Sequence, residues 1–179
     1  LVGCVGQISS LKGQEYLIRA VPLVLEKIPN TRFLFCGEVR RERDEGKIES
    51  LVEKLDIKKS IIFLGWQENL PIIYSSLDIL AFPTLKEAFG RVAVEAMACE
   101  VPVIASRIGG IPEIVEDGKA GILVSPETHT QLADAIIKLL KDSKMRENMG
   151  KEGRKRVQEN FNIAKTVNDI ENIYSFLLA

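Results

Sequence analysis

The chain has 179 residues, 46% of them hydrophobic, which supplies one sizeable core and predicts a single domain over residues 1–179. Its 24 basic and 25 acidic residues leave a formal net charge of −1, so no global field draws it to nucleic acid or to an anionic membrane. Cys4, Cys36 and Cys99 sit far apart in apolar segments with no C-x-x-C pair and His129 stands alone, which argues against a disulfide framework or a zinc site and for a reduced, cytoplasmic setting.

Short β-branched runs alternate with amphipathic helical stretches, joined by brief connections. In chain order the pattern predicts strand 2–5, helix 14–28, strand 32–36, helix 46–55, strand 61–64, helix 70–75 and strand 79–82. Helix 90–98, strand 103–105, helix 112–116, strand 121–124 and helices 131–141, 145–160 and 163–178 follow. That order implies an α/β fold: one Rossmann-like, doubly wound parallel sheet covered by helices on both faces, with C-terminal helices added.

Pro29-Asn30 closes the first helix and Pro112 opens a later one. Pro22 falls inside the first helix and should kink or divide it. Arg40, Arg41 and Arg43, like Arg154, Lys155 and Arg156, interleave with acidic residues and read as solvated faces. His129 is expected at the surface, at a helix start. No apolar run reaches the ~18 residues that span a bilayer, and no signal sequence is visible. The last two helices extend beyond the sheet and are expected to brace something. The chain opens on a strand at Leu1 without an initiator Met, which suggests a piece of a longer protein whose partner domain is absent.

In a doubly wound sheet, ligands sit outside the carboxyl ends of the strands. Four stretches fall there: 6–13, 65–70, 83–91 and 106–112. The first carries Gly6, Gln7, Lys12 and Gly13, and a Lys before a helix can neutralise a phosphate facing that helix start. It matches neither a Walker loop nor a G-x-G-x-x-G fingerprint, so ATPase and dehydrogenase chemistry are not indicated. The second carries Gly65, Trp66, Gln67 and Leu70, where Trp66 either packs beside a nucleobase or covers the sheet edge. Gly109-Gly110 lets backbone approach a ligand closely or simply permits a turn.

Glu87 and Glu95 frame Ala88, Phe89, Gly90, Arg91 and Val92. If a helix begins near Gly90, a rise of ~1.5 Å per residue sets the two carboxylates roughly 10 Å apart. The free N–H groups of the helix start lie between them and favour an anion. The arrangement reads as hydroxyl acceptor, phosphate cradle, hydroxyl acceptor, which suits a nucleotide-diphosphate sugar. An ordinary ion pair between Arg91 and Glu95, four residues apart, is the plainer account of the second acid.

Taken together these segments resemble the C-terminal, donor-binding half of retaining GT-B glycosyltransferases of glycosyltransferase family 4. The resemblance rests on Gly6…Lys12-Gly13, Phe63-Leu64-Gly65, Pro83-Thr84…Glu87-Ala88-Phe89-Gly90…Glu95-Ala96-Met97-Ala98, Pro102-Val103-Ile104-Ala105-Ser106, Gly109-Gly110-Ile111-Pro112-Glu113 and Gly121-Ile122-Leu123-Val124. It implies a hexosyltransferase whose donor is a UDP-, GDP- or ADP-sugar, with no metal and no cofactor, and with an N-terminal acceptor domain elsewhere in the same protein. By position it implies that Lys12 binds the diphosphate, that Glu95 holds the ribose hydroxyls and that Glu87 faces the donor sugar. The amides from Phe89 to Val92 would meet sugar and phosphates, and loop 65–70 would hold the base. Two positions depart from the pattern: Gln7 where the family usually has Arg, and Glu100 where it favours Gly. A non-catalytic nucleotide- or carbohydrate-binding module and a GT-B sugar-nucleotide epimerase are the alternatives, and contact of the absent half with a membrane is left open.

Overall fold

The computed structural model describes residues 1–39 and 46–178. Its elements in chain order are β1 (Val2–Val5), α1 (Gln14–Lys27), β2 (Phe33–Cys36), α2 (Lys47–Lys54), β3 (Ile61–Gly65), α3 (Leu70–Ser75) and β4 (Ile79–Phe82). There follow α4 (Arg91–Ala98), β5 (Val103–Ser106), α5 (Ile111–Ile114), β6 (Gly121–Val124), α6 (His129–Lys141), α7 (Ser143–Asn160) and α8 (Ile163–Leu178). The predicted elements all form, with ends moved by one or two residues, the usual extent of fraying. The basic run at Arg40, Arg41 and Arg43 lies outside the described residues.

Phe33 and Phe35 pack on one side of the sheet and Leu34 and Cys36 on the other, and all four are buried. Burial on both faces is why the strands read as continuous apolar runs instead of alternating ones. The strand order is β3-β2-β1-β4-β5-β6 and every pairing is parallel, with Val2 opposite both Phe33 and Ile79. The order reverses between β1 and β4, so the crevice for a ligand lies at the carboxyl ends of those strands.

Leu17, Ile18, Val21 and Val24 of α1 and Leu132, Ile136 and Leu139 of α6 pack against Phe33, Phe35, Ile79 and Ile104 on one face. Tyr74 of α3, Met97 of α4 and Ile111 and Ile114 of α5 cover Leu80, Phe82 and Val103 on the other. Helix α1 runs unbroken through Pro22, contrary to the expected division. Burial of Leu17, Ile18, Val21 and Val24, worth roughly 1.5–3 kcal/mol each, outweighs the ~3 kcal/mol a helix-interior proline costs.

Helix α7 joins the core through its small residues. A Cβ on Gly150 would come 2.0 Å from the Glu100 carbonyl oxygen, and one on Gly153 would come 3.2 Å from Met97 Cγ. Glu100 itself holds φ 60°, so the turn keeps the left-handed conformation that glycine would adopt more cheaply. Helix α8 behaves differently from α7. None of its residues is buried, and Ile163, Ile173, Phe176, Leu177 and Leu178 are exposed. Among the described residues no helix is long and apolar enough to cross a membrane.

Candidate functional site

The loop after β1 is drawn tightly over the sheet end. Gly6 N–H donates to the Cys36 carbonyl at 2.8 Å, Ile8 N–H to Glu38 at 2.9 Å, and Gly37 N–H to Gly65 at 2.8 Å. These bonds carry the ladder past the ends of β1, β2 and β3, backbone against backbone. A Cβ on Gly37 would sit 2.0 Å from the Gly6 carbonyl, and Gly37 has φ 142°, so both space and conformation demand glycine there.

The same loop is stitched to the loop after β4. Leu85 N–H donates to the Leu11 carbonyl at 2.9 Å, and a Cβ on Gly13 would meet the Pro83 carbonyl at 2.0 Å. The stitching delivers Lys12 to Glu87, with Nζ 2.8 Å from Oε2. Their side chains are 32% and 17% exposed, so the pair is partly desolvated and more than a surface contact.

Gly109 and Gly110 pack closely on neighbouring backbone. Cβ atoms there would lie 1.9 Å from the Glu87 carbonyl and 2.5 Å from the Ala88 carbonyl, so these glycines let the loop after β5 press on the 87–89 backbone. Phe89 meets Phe161 edge-on at 5.9 Å, which holds that loop from the far side. Gly90 caps α4 with φ 104°, and Ala93 N–H reaches its carbonyl at 2.9 Å. The amides of Arg91 and Val92, in the first turn, precede any intrahelical acceptor, as at every helix start.

Beside this helix start lies a cavity of about 250 Å³ lined by Gly6, Gln7, Trp66, Gln67, Leu70, Arg91, Val92 and Glu95, with Val5, Cys36, Gly37, Glu38 and Tyr74 completing the wall. Trp66 is 59% exposed at its mouth, so it does not bury itself over the sheet edge. Gln67 Nε2 donates to the Leu64 carbonyl at 3.0 Å, and Gln7 accepts from Gln14 Nε2 at 2.9 Å through its own carbonyl. Glu95 accepts from the Tyr74 hydroxyl at 2.8 Å, and Arg91 Nε lies 3.1 Å from its other oxygen. The plain i,i+4 ion pair therefore exists, together with a buried partner the spacing did not announce. Burial, followed by the hydrogen bond and charge of Glu95, pushes the Tyr74 hydroxyl well above the usual tyrosine range, so it acts as a donor.

Of the residues singled out from sequence, the two acids part company. Glu95 is on the cavity wall. Glu87 and Lys12 are paired with each other and are not among its lining residues, nor are Gly65, Ala88, Phe89 and Gly90, which shape the loops around it. The residues sequence reasoning missed are Val5, Cys36, Gly37, Glu38 and Tyr74. Gly37-Glu38 follows β2 directly, and applying the strand-end rule to that strand as well would have found it. Tyr74 gives no such signal in an apolar helix.

A larger cavity, about 410 Å³, is lined by Gly118, Lys119, Asp142, Lys144 and Met145 among others. It lies where β6 begins and α6 ends, at the amino edge of the sheet. Asp142 there caps the Met145 N–H and Lys119 pairs with Glu116, so these two charges serve local structure. Groups of His, Cys, Asp or Glu able to hold a metal ion are absent among the described residues.

The family model described as Glycosyl transferases group 1 matches residues 1–156. N-acetyl-alpha-D-glucosaminyl L-malate synthase of Bacillus anthracis is 42% identical over 127 residues, covering 71% of this chain and 33% of that protein. Anabaena Alr3699/HepE in complex with UDP superposes with a TM-score of 0.92 at 26% identity, covering 97% of this chain and 48% of that one. Its complex with UDP-glucose gives a TM-score of 0.89 at 28% identity, with the same coverage. The C-terminal domain of the group 1 glycosyl transferase LpcC from Francisella tularensis gives a TM-score of 0.83 at 34% identity, over 90% of this chain and 86% of that one. This chain thus spans a third of the Bacillus protein and about half of the Anabaena one, and its sheet is one half of a GT-B fold. Matched by the family model over residues 1–156 and superposing on a C-terminal domain of the same family, the chain belongs to the glycosyl transferases group 1.

Proposed function

We propose that this chain is the nucleotide-sugar-binding domain of a retaining, family 4 glycosyltransferase that moves a hexosyl group from a nucleotide-diphosphate sugar to an acceptor. The observation that carries the proposal is the convergence of the loops after β1, β2 and β3 and the first turn of α4 on one cavity, with Glu95 in its wall. The Anabaena structures hold UDP and UDP-glucose on the same fold, which favours a UDP-hexose among the UDP-, GDP- and ADP-sugars that the site would accommodate.

In this reading the ribose diol bonds to Glu95, the base lies against Trp66 and loop 65–70, and the diphosphate crosses the α4 start. As the bond from sugar to phosphate breaks, negative charge builds on the diphosphate while the sugar becomes oxocarbenium-like. Lys12 and the first-turn amides of α4 are fixed before the reaction, so they stabilise that charge more in the transition state than in the ground state. Glu87 faces the sugar hydroxyls, and the acceptor attacks from the face the phosphate leaves. The acceptor site belongs to an N-terminal domain of the same protein, without which this domain binds donor but does not transfer it. The cytoplasmic location proposed with it accords with the free thiols of Cys4, Cys36 and Cys99.

Gln7, on the cavity wall where the resemblance calls for Arg, supports a second reading as a binding module without transfer. Turnover of a UDP-sugar by the full-length protein with a matched acceptor excludes it. Calorimetry of the 179-residue chain with UDP, GDP and ADP tests the first reading. Binding to at least one is expected, and Glu95→Ala should weaken it about tenfold or more, the loss of a hydrogen bond to a charged group. No heat with any of the three nucleotides, or equal affinity in wild type and Glu95→Ala, overturns it.

A further inference from the structure

Glu95 is held from two sides by groups of opposite character. Arg91, one turn back on α4, reaches Oε1 with a side chain that is 84% exposed, so solvent screening and rotamer freedom make its hold weak and adjustable. Tyr74, on α3, reaches Oε2 at 2.8 Å from a position only 1% exposed, packed among the core residues of that face of the sheet. Its ring cannot swing away, and so its hydroxyl is a fixed donor. A carboxylate has about four lone-pair sites; the Tyr74 hydrogen bond uses one on Oε2 and the Arg91 ion pair lies against Oε1, which leaves acceptor sites on both oxygens for a ligand in the cavity.

We infer that Tyr74 is a positioning residue, whose hydrogen bond to Oε2 orients the Glu95 carboxylate so that both oxygens meet the vicinal hydroxyls of a nucleotide ribose. This rests on the donor-binding reading above and adds that the acid's geometry is set from a neighbouring helix and not from its own. Without the hydroxyl, the nearest remaining donor is the Arg91 guanidinium. The carboxylate then turns toward that planar fork, which donates to both oxygens at once and carries them out of register with the diol.

The test is Tyr74→Phe in the 179-residue chain, titrated with whichever of UDP, GDP and ADP binds the wild type most tightly and with its 2′,3′-dideoxy analogue. The parent nucleotide should bind about tenfold more weakly to Tyr74→Phe, while the dideoxy analogue binds both proteins alike. The ratio of the two affinities therefore collapses in the variant. General loosening of the core would weaken both ligands together and leave the ratio at its wild-type value, and that result overturns the positioning role. In a Glu95→Ala background, Tyr74→Phe should change nothing further; a full additional loss there overturns it as well. If none of the three nucleotides binds the wild type, the donor reading itself falls and takes this one with it. If wild type binds and the variant keeps the wild-type ratio, the donor reading stands and only the role of Tyr74 is lost.

Discussion

The Lys12–Glu87 pair makes opposite predictions for its two halves. At 2.8 Å, an effective dielectric of about 20 gives roughly 6 kcal/mol of gross attraction, which desolvation and side-chain ordering reduce to a net on the order of 1 kcal/mol. A diphosphate that recruits Lys12 must share it with Glu87. Glu87→Ala removes the competitor, so nucleoside diphosphate should bind as tightly as in wild type or up to about fivefold more tightly, the equivalent of about 1 kcal/mol. Lys12→Ala removes a charge-assisted bond worth roughly 1.5–3 kcal/mol, and affinity should fall by about 10- to 150-fold. The Lys12→Ala deficit should also shrink as salt rises, because the phosphate contact is open to solvent and screened. Calorimetry with UDP at low and high ionic strength reads all three effects. If Glu87→Ala and Lys12→Ala weaken UDP by the same factor, the pair only braces the two loops and the placement of phosphate against Lys12 is refuted.

Glu100→Gly relieves a left-handed residue that costs roughly 1–2 kcal/mol, against a glycine entropy penalty of about 0.5–1 kcal/mol, so a small net gain is expected. The ion pair with Arg154 that the change removes is half-exposed and contributes little. The urea midpoint should rise with unchanged slope, and a lowered midpoint would show that Glu100 does more than fill the turn. Cys4, pushed up to about 12 by burial and by neighbouring Cys36, partly offset by Lys12, should resist iodoacetamide in the folded chain and react once urea unfolds it. Its ordinary value of 9.0 returns on unfolding, so the unfolded chain releases a proton the folded one keeps, and stability present below pH 9 declines as pH rises toward about 12. Cys4→Ala should flatten part of that decline, and an unchanged slope would count against it.

The strands were legible because parallel strands buried on both faces concentrate apolar residues into short runs that periodicity detects. Pro22 misled for the same reason that propensity is a weak guide: the buried face of α1 belongs to contacts with β2, β4 and α6 that no local window contains. Gly109-Gly110 invited a ligand reading because a glycine signals a close approach without saying what approaches, and here it is the 87–89 backbone. The pair Arg91–Glu95 could be read from i,i+4 spacing alone, whereas Tyr74 lies 21 residues from Glu95 on another helix.

Sequence by itself determined the α/β alternation, the loops that gather at the carboxyl ends of the strands, and the chemistry available there: Lys12, Glu87, Glu95 and a helix start at Gly90. Those are properties of residue type and local spacing, which survive without knowledge of neighbours. Only the tertiary structure decided that Lys12 pairs with Glu87 across 75 residues of chain, that Glu95 and not Glu87 walls the cavity, and that a buried tyrosine donates to it. Partner choice in a folded chain follows distance and burial, and both are set by how α3, α4 and the first loop pack over one sheet end.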